Sequence, residues 1–366
     1  MEQPDEPSKV GQLVEEGLRA EEARLEISTA TSSDSDAWKR YVADSTVSRL
    51  CHDWRWSGIS QTVFEHEPVY LMASRNDTVE GVLPLTRVRS RLFGDYLVSV
   101  PLLNYGGAIA NSDVVATQLT LAAGEVATSL GCSHVEFRDD SDIALPLACR
   151  TDKVVMLRAL PDSLAALDKE IGAKLRAQVK RPVREGATAH IGGAELVPEF
   201  YQVFAENMRD LGTPVYSIAF FEQVCAAFAD EATVVVVRMG EQPVAGGFLL
   251  RDGTTMEIPW ASSLRRFNRL GVNMMLYWQA LGTAIEQGCN EFDFGRSSKD
   301  SSTLRFKQQW GAKPKQLYWH YWLPEGGEMP GLTPNNPKFA LAVAAWKQLP
   351  LAIANRLGPH VVRGLP

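Results

Sequence analysis

From Phe292 to Gly311 the chain reads FDFGRSSKDSSTLRFKQQWG, an acidic-aromatic strand running into a polar helix. Asp293 and Arg296 straddle the end of that strand, where αβ units tend to place site residues. A structural Asp–Arg pair accounts for them equally well. In the helix, Phe306 and Trp310 lie four apart and share a face that reads as core. Arg305 lies on a different helix face from Lys307.

Working outward, residues 273–297 (NMMLYWQALGTAIEQGCNEFDFGRS) have a counterpart at 114–140 (VVATQLTLAAGEVATSLGCSHVEFRDD). In both, a small-residue helix ends at a glycine, Gly288 or Gly131, placed for a left-handed C-terminal turn. A cysteine and an acidic-aromatic strand follow. The segments before them also correspond in kind. Residues 38–65 read as helix and 68–90 as two strands split by Asn76-Asp77; residues 163–186 and 199–212 read as helices, and 232–263 as three strands. No clean period proves a repeat, but the shared order suggests a duplicated fold with its boundary near 150–160.

The length of 366 residues favours about two domains. With 45% apolar and 22% charged residues the composition is globular, and no apolar run approaches the ~20 residues of a bilayer span. The polar, acidic start lacks the pattern of a secretory signal, so a cytoplasmic location is expected. Cys51, Cys132, Cys149, Cys225 and Cys289 are scattered without CxxC spacing, which reads as reduced core residues and argues against disulfides and zinc. The net charge of −7 argues against a surface given over wholly to nucleic acid. No metal site is expected, because the six histidines show neither HxxxH nor HExxH. GxSxG, the phosphate-binding GxxxxGK[ST] loop and GxGxxG are missing as well, which withdraws support from serine hydrolase, NTPase and dinucleotide redox chemistry.

FDFGRSSKDSSTLRFKQQWGAKP resembles the signature of the FemAB-like aminoacyl/acyltransferases, which look like two acetyltransferase-type domains in tandem. Three further segments resemble the branch of that family associated with the exosortase/PEP-CTERM exopolysaccharide system: residues 69–110, NMRDLGTPVYSIAFFEQV, and the tail NPKFALAVAAWKQLPLAIANRLGP. The resemblance spans about residues 36–366. It implies an α+β fold of two tandem GNAT-like domains, each a mixed, mainly antiparallel sheet flanked by helices, plus a helical tail. The expected divisions are a flexible acidic lead-in (1–35), an N-terminal domain (36–155), a C-terminal domain (156–330) and the tail (331–366). One departure is the strand MEIPWASS, which lacks the family's usual glycine-rich continuation.

The resemblance implies transfer of an activated acyl group to an amine or hydroxyl of a cell-envelope or exopolysaccharide-related acceptor, saccharide- or peptide-like. It also implies no tightly bound cofactor, with acyl-CoA or aminoacyl-tRNA as co-substrate. In such folds two neighbouring strands splay and hold the donor carbonyl between them; TTMEIPWASS and NEFDFGR are the candidates. Lys307 matches a lysine implicated in transfer and is the leading catalytic candidate, with Asp293, Arg296 and Arg305 as dependents; alternatively its stem merely covers the helix. The base is left open among Asp293, Glu257 and water. Arg265, Arg266, Arg269 and Gly271 precede a helix and suit a pyrophosphate. Lys174, Arg176, Lys180, Arg181 and Arg184 form a basic helix suited to a phosphate-bearing donor, a tRNA acceptor end or a linked sugar, with Pro182 kinking it. Asn104, Tyr105, Asn207, Tyr216 and Trp260 are candidate cleft residues. The tail is too interrupted by charge and proline to span a bilayer, and is expected to lie against the protein or on a membrane surface. The rival expectation is a non-catalytic binding module on a degenerate transferase fold, holding a phosphorylated saccharide or a partner protein.

Overall fold

The computed structural model describes residues 24–91, 93–142, 147–331 and 340–365. In chain order the first part contains β1 (Glu26–Thr29), α1 (Ser35–Asp44), α2 (Arg55–Phe64), β2 (Glu67–Arg75), β3 (Thr78–Ser90), β4 (Gly94–Ser99), β5 (Ile109–Ala110), α3 (Asp113–Leu130), β6 (Val135–Asp139) and β7 (Ala148–Arg150). The second contains β8 (Lys153–Ala159), α4 (Leu164–Glu170), α5 (Ala173–Arg184), β9 (Ala187–Gly192), α6 (Val197–Leu211), α7 (Ile218–Ala227), β10 (Ala232–Met239), β11 (Gln242–Asp252), β12 (Thr255–Ser263), α8 (Val272–Glu286), β13 (Glu291–Ser298), α9 (Ser302–Gln309), β14 (Lys313–Gln316) and β15 (Tyr318–Trp322). The tail forms α10 (Ala340–Trp346) and α11 (Leu351–Val362).

Local chemistry places these elements as the sequence suggests. Asn76 and Asp77 both take positive φ, 48° and 61°, and close the β2–β3 hairpin. Ser112 caps α3 by accepting from Val115 N, and Gly131 ends it at φ 68°. Gly288, the matching glycine, sits at φ 77°.

Two sheets result, ordered β1-β2-β3-β4-β6-β15-β7 (with β5 beside β3) and β14-β8-β13-β12-β11-β10-β9. Most neighbours are antiparallel, and each sheet has one parallel pair in its middle: β4 with β6, and β12 with β13. The fold is α+β, two mixed sheets flanked by helices.

The sheets exchange strands. β8 follows β7 in the chain yet lies between β13 and β14, while β15 follows β14 yet lies between β6 and β7. A boundary at 155/156 therefore falls inside a strand of the second sheet, and Tyr318–Trp322, expected in the C-terminal domain, completes the first. One core cluster spans both halves, packing Trp56, Phe64, Leu103 and Tyr105 against Phe200, Phe220, Phe248 and Trp260. Each half also has a core of its own, Met156, Leu276 and Trp310 in the second and Leu83, Leu119 and Phe137 in the first, so the shared cluster joins the two halves.

The expected lead-in is corrected in part. Glu26–Thr29 adds an edge strand to β2, in register from Glu26↔Ser74 to Thr29↔Leu71, and α1 begins at Ser35; residues 1–23 lie outside the described residues. Pro182 leaves α5 unbroken and sits buried in its last turn. Four cysteines are buried as expected, but Cys149 is exposed on the short edge strand β7.

Candidate active site

Strands β12 and β13 pair in parallel at Thr255↔Glu291, Met256↔Phe292 and Glu257↔Asp293, and go no further. Beyond that position β12 runs to Ser263 and β13 to Ser298 with no pairing between them. The two expected strands thus form the splayed pair, and Glu257 and Asp293 stand side by side at its root. Gly295, at φ 71°, gives β13 a left-handed turn just above, at a bulge opposite β8.

The first domain reaches into this point. Tyr105 donates its phenol hydrogen to Asp293 Oδ2 at 2.5 Å, and Asn104 Nδ2 donates to Glu257 Oε1 at 2.8 Å. The other Asp293 oxygen accepts from Gly295 N at 2.7 Å. From the opposite side, α9 starts on a Ser301 cap and turns Lys307 inward. Lys307 is only 4% exposed, and its Nζ donates to the carbonyls of Gly295 and Arg296 at 2.9 Å each. Phe306 and Trp310 pack into the core of the second sheet, as their spacing predicts.

Burial sets the protonation states. Removal from water pushes the Glu257 carboxyl up to about 8, helped by the adjacent Asp293 charge. Asp293 is raised by burial as well, against the hydrogen bonds from Tyr105 and Gly295 and the charges of Arg49 and Lys307. Lys307 is lowered by burial to about 8. Two carboxyls in register and desolvated do not readily ionise together, so near neutral pH the pair retains a proton. A cavity of about 30 Å³, room for a water or so, lies beside them between Arg49, Tyr105, Asp252, Glu257 and Asp293. Arg49 stacks over the Tyr105 ring at 4.2 Å and pairs with Asp140 at 2.6 Å.

Arg296 lies at the mouth of the splay. Its guanidinium sits 4.7 Å over the Trp319 ring, whose environment also includes Arg138 at 4.7 Å. Arg138 is buried and engaged, donating to Glu136 Oε1 at 2.8 Å and to Leu103 O at 2.6 Å. Arg296 has an exposed surface, but its guanidinium end against Trp319 is desolvated, which with the nearby Arg138 charge lowers it to about 10; it makes no hydrogen bond or ion pair among the described residues. It is therefore not the partner of Asp293, and the structural Asp–Arg pair is ruled out. Arg305 is exposed on α9 and stands apart from this group.

On the other flank, the turn Arg265–Leu270 ends at Gly271, φ 82°, where α8 begins. A Cβ on Gly271 would stand 3.2 Å from Gln178 O. This close approach brings α5, the basic helix, against the start of α8. Lys174, Lys180, Arg181 and Arg184 are exposed and unpaired among the described residues, as are Arg265 and Arg269. Arg176 and Arg266 depart from the expected cluster: Asp168 O holds the first and Glu206 the second. Two basic segments distant in sequence thus form one positive surface beside a helix N-terminus.

The cleft candidates divide. Asn104 and Tyr105 touch the carboxyl pair, and Asn207 donates to Ser262 Oγ of β12 at 3.0 Å. Tyr216 packs its ring among Phe64, Phe204, Phe220 and Phe221. Trp260, 5% exposed, is enclosed edge-on by Phe220, Phe221 and Phe248. Strand alternation turns Trp260 into the interdomain core, so it is a packing residue and not part of an open cleft. Arg49 and Asp252 escaped sequence reading. Asp252 closes the β11–β12 hairpin five residues before Glu257, whereas Arg49 meets Glu257 only through tertiary contact between segments about 200 positions apart, and no local pattern marks either.

The corresponding splay of the first domain is filled. β4 and β6 pair only at Leu97↔Val135 and Val98↔Glu136. Beyond, the Arg138 backbone N–H donates to Ser99 Oγ at 2.8 Å and its carbonyl accepts from Gly107 N at 3.2 Å. Residues 100–107 thereby fold across the gap, helped by positive φ at Val100 and Leu102. The same fold-back delivers Asn104 and Tyr105 to the second domain.

Residues 173–308 match the sequence profile of an acetyltransferase (GNAT) domain. No curated protein matches the chain by sequence. Among solved structures, FemX superposes with a TM-score of 0.58 at 13% identity, covering 80% of this chain and 96% of that one. A tandem GNAT protein from the clavulanic acid biosynthesis pathway gives 0.55 at 10% identity, covering 84% and 100%. The C-terminal domain of a putative lysylphosphatidylglycerol synthetase from Agrobacterium fabrum gives 0.54 at 14% identity, covering 81% and 94%. The second part of the chain is thus similar to a GNAT acetyltransferase domain, and the whole has a tandem GNAT-like fold.

Proposed function

We propose that the protein is an N-acyltransferase or aminoacyltransferase that works at the splay of its second domain. The observation that carries this reading is the arrangement at the root of the splay: Glu257 and Asp293 in register, with Lys307 buried just beyond them. The donor's acyl carbonyl lies between the diverging strands, and its phosphates rest on the α8 N-terminus and the basic face of α5. Acyl-CoA and aminoacyl-tRNA both meet that description. The acceptor enters between Asn207 of α6 and the Arg296 guanidinium that rests on Trp319.

Glu257 takes the acceptor's proton as its nitrogen or oxygen bonds to the acyl carbon. The carbonyl becomes an oxyanion, which the nearby Lys307 ammonium stabilises. Collapse re-forms the carbonyl and breaks the bond to the thiol or ribose oxygen. That leaving atom receives a proton from Lys307, which its position near 8 makes able to release one. Tyr105 and Asn104 hold the carboxyl pair and exclude bulk water from it.

The resemblance to the exosortase/PEP-CTERM branch supports a saccharide- or peptide-like acceptor of the cell envelope or an exopolysaccharide, with the transfer made in the cytoplasm where both donors occur. The filled splay favours the rival, non-catalytic reading for the first domain alone, which acts as a scaffold for the second. Native mass spectrometry of ligands retained by the purified protein, followed by turnover with panels of acyl-CoA and charged tRNA, tests the assignment. A retained donor that turns over supports it; ligand binding with no turnover of any donor favours a binding module.

A further inference from the structure

The tail differs electrostatically from the rest of the chain. After Glu328 there is no Asp or Glu, whereas Lys338, Lys347, Arg356 and Arg363 all fall there, in a protein of net charge −7. Its two described helices are anchored on the body. Ala354, Gly358 and Val362 of α11 are buried, and a Cβ on Gly358 would overlap the Val215 backbone at 2.7 Å. Arg209 donates to Leu349 O at 2.9 Å, and Tyr96 to Gly364 O at 3.0 Å.

The face turned away from the body is apolar and basic. Ile353 and Leu357, one turn apart, are 46% and 45% exposed; Leu341 on α10 is 85% exposed. Leu211, 54% exposed at the end of α6, adjoins them, since Gly212 packs against Val343 and Lys347. Lys347 and Arg356 flank these residues and pair with no acid among the described residues. Single exposed apolar residues are ordinary on a protein surface, but Ile353 and Leu357 stand one turn apart beside Arg356 on a tail that contains no acid. No helix among the described residues is long and apolar enough to cross a membrane.

We propose that this face docks on an anionic lipid bilayer, with Leu341, Ile353 and Leu357 entering the interface and Lys347 and Arg356 meeting lipid phosphates. Shallow apolar insertion beside cations, with no acid in the tail itself and the neighbouring Asp210 and Glu65 neutralised by Arg209 and Arg363, fits an interfacial site in both chemistry and charge.

The test is flotation of the full-length protein with vesicles of phosphatidylcholine alone or mixed with phosphatidylglycerol, with light scattering to report oligomeric state. Binding should require phosphatidylglycerol and weaken as salt rises. Lys347→Ala with Arg356→Ala should lower the partition coefficient about thirtyfold. Ile353→Glu with Leu357→Glu should abolish binding while leaving the melting temperature and size unchanged. Indifference to lipid charge, wild-type flotation of the Glu variants, or a dimer that these variants dissociate would each overturn the proposal. A dimer of that kind would instead assign the face to a second copy of the chain.

Discussion

Asn104 of the first domain donates its side-chain amide to the Glu257 carboxylate of the second at 2.8 Å, so the charge state of one domain's candidate base is set in part by the other. That bond favours the ionised carboxylate and works against the burial that raises it. Asn104→Ala should therefore move the midpoint of the pH–rate profile above 8. A profile unchanged from wild type would show that Glu257 is not the group being titrated.

The two shifted groups leave opposite marks on stability. Glu257 rises from 4.5 to about 8, so the folded state binds the extra proton and stability falls as pH climbs through that window. Lys307 falls from 10.5 to about 8, so the unfolded state holds the extra proton and stability recovers between 8 and 10.5. Urea midpoints across pH 5–10 should show a dip near 8. Glu257→Gln should flatten its acid limb and Lys307→Met its alkaline limb; equal curves for all three proteins would contradict the shifts.

Gly271 and Gly288 offer a matched pair. Both are left-handed, at φ 82° and 77°, but only Gly271 stands at the helix start proposed to hold the donor's phosphates. Alanine at Gly288, where a Cβ meets open space, should cost about 1 kcal/mol in chemical denaturation, and at Gly271 more, because its Cβ stands 3.2 Å from Gln178 O. Gly271→Ala alone should raise the donor KM, about tenfold or more. A KM unaffected by Gly271→Ala would remove the phosphate site from the start of α8.

The exposed cations of α5 predict a salt dependence. Donor affinity should drop steeply from low to moderate ionic strength, and Lys180, Arg181 and Arg184 changed together to Gln should weaken binding and flatten that slope. A wild-type affinity insensitive to salt would leave this helix as solvated surface.

Much of this was legible in the chain before folding. Turn chemistry at Asn76-Asp77, the glycines at 131 and 288, and the strand–helix signature ending at Trp310 specify local structure through φ preference and helical spacing, which neighbouring residues alone determine. The resemblance carried by that signature points to the splayed strands and to Lys307; only the folded structure shows that Lys307 turns inward. What sequence could not show is tertiary. The exchange of β8 and β15 turns on which sheet edge each strand meets, and nothing in their residues records it. Trp260 was misplaced for the same reason: an aromatic on a strand reads alike whether its face opens to a cleft or to the other domain. Arg49 enters the site only because two domains share one core, while Asp252 comes from the hairpin that also carries Glu257.

The account rests on acyl chemistry at the splay, and Lys307 tests it most directly. Steady-state donor turnover should be measured for the wild type and Lys307→Ala, with far-UV circular dichroism and a urea melt as controls. Removing the side chain frees two carbonyls, of Gly295 and Arg296, for a stability cost of about 1–3 kcal/mol. The variant should thus stay folded while kcat falls about 100-fold or more. A folded Lys307→Ala protein with near-normal turnover would contradict the account.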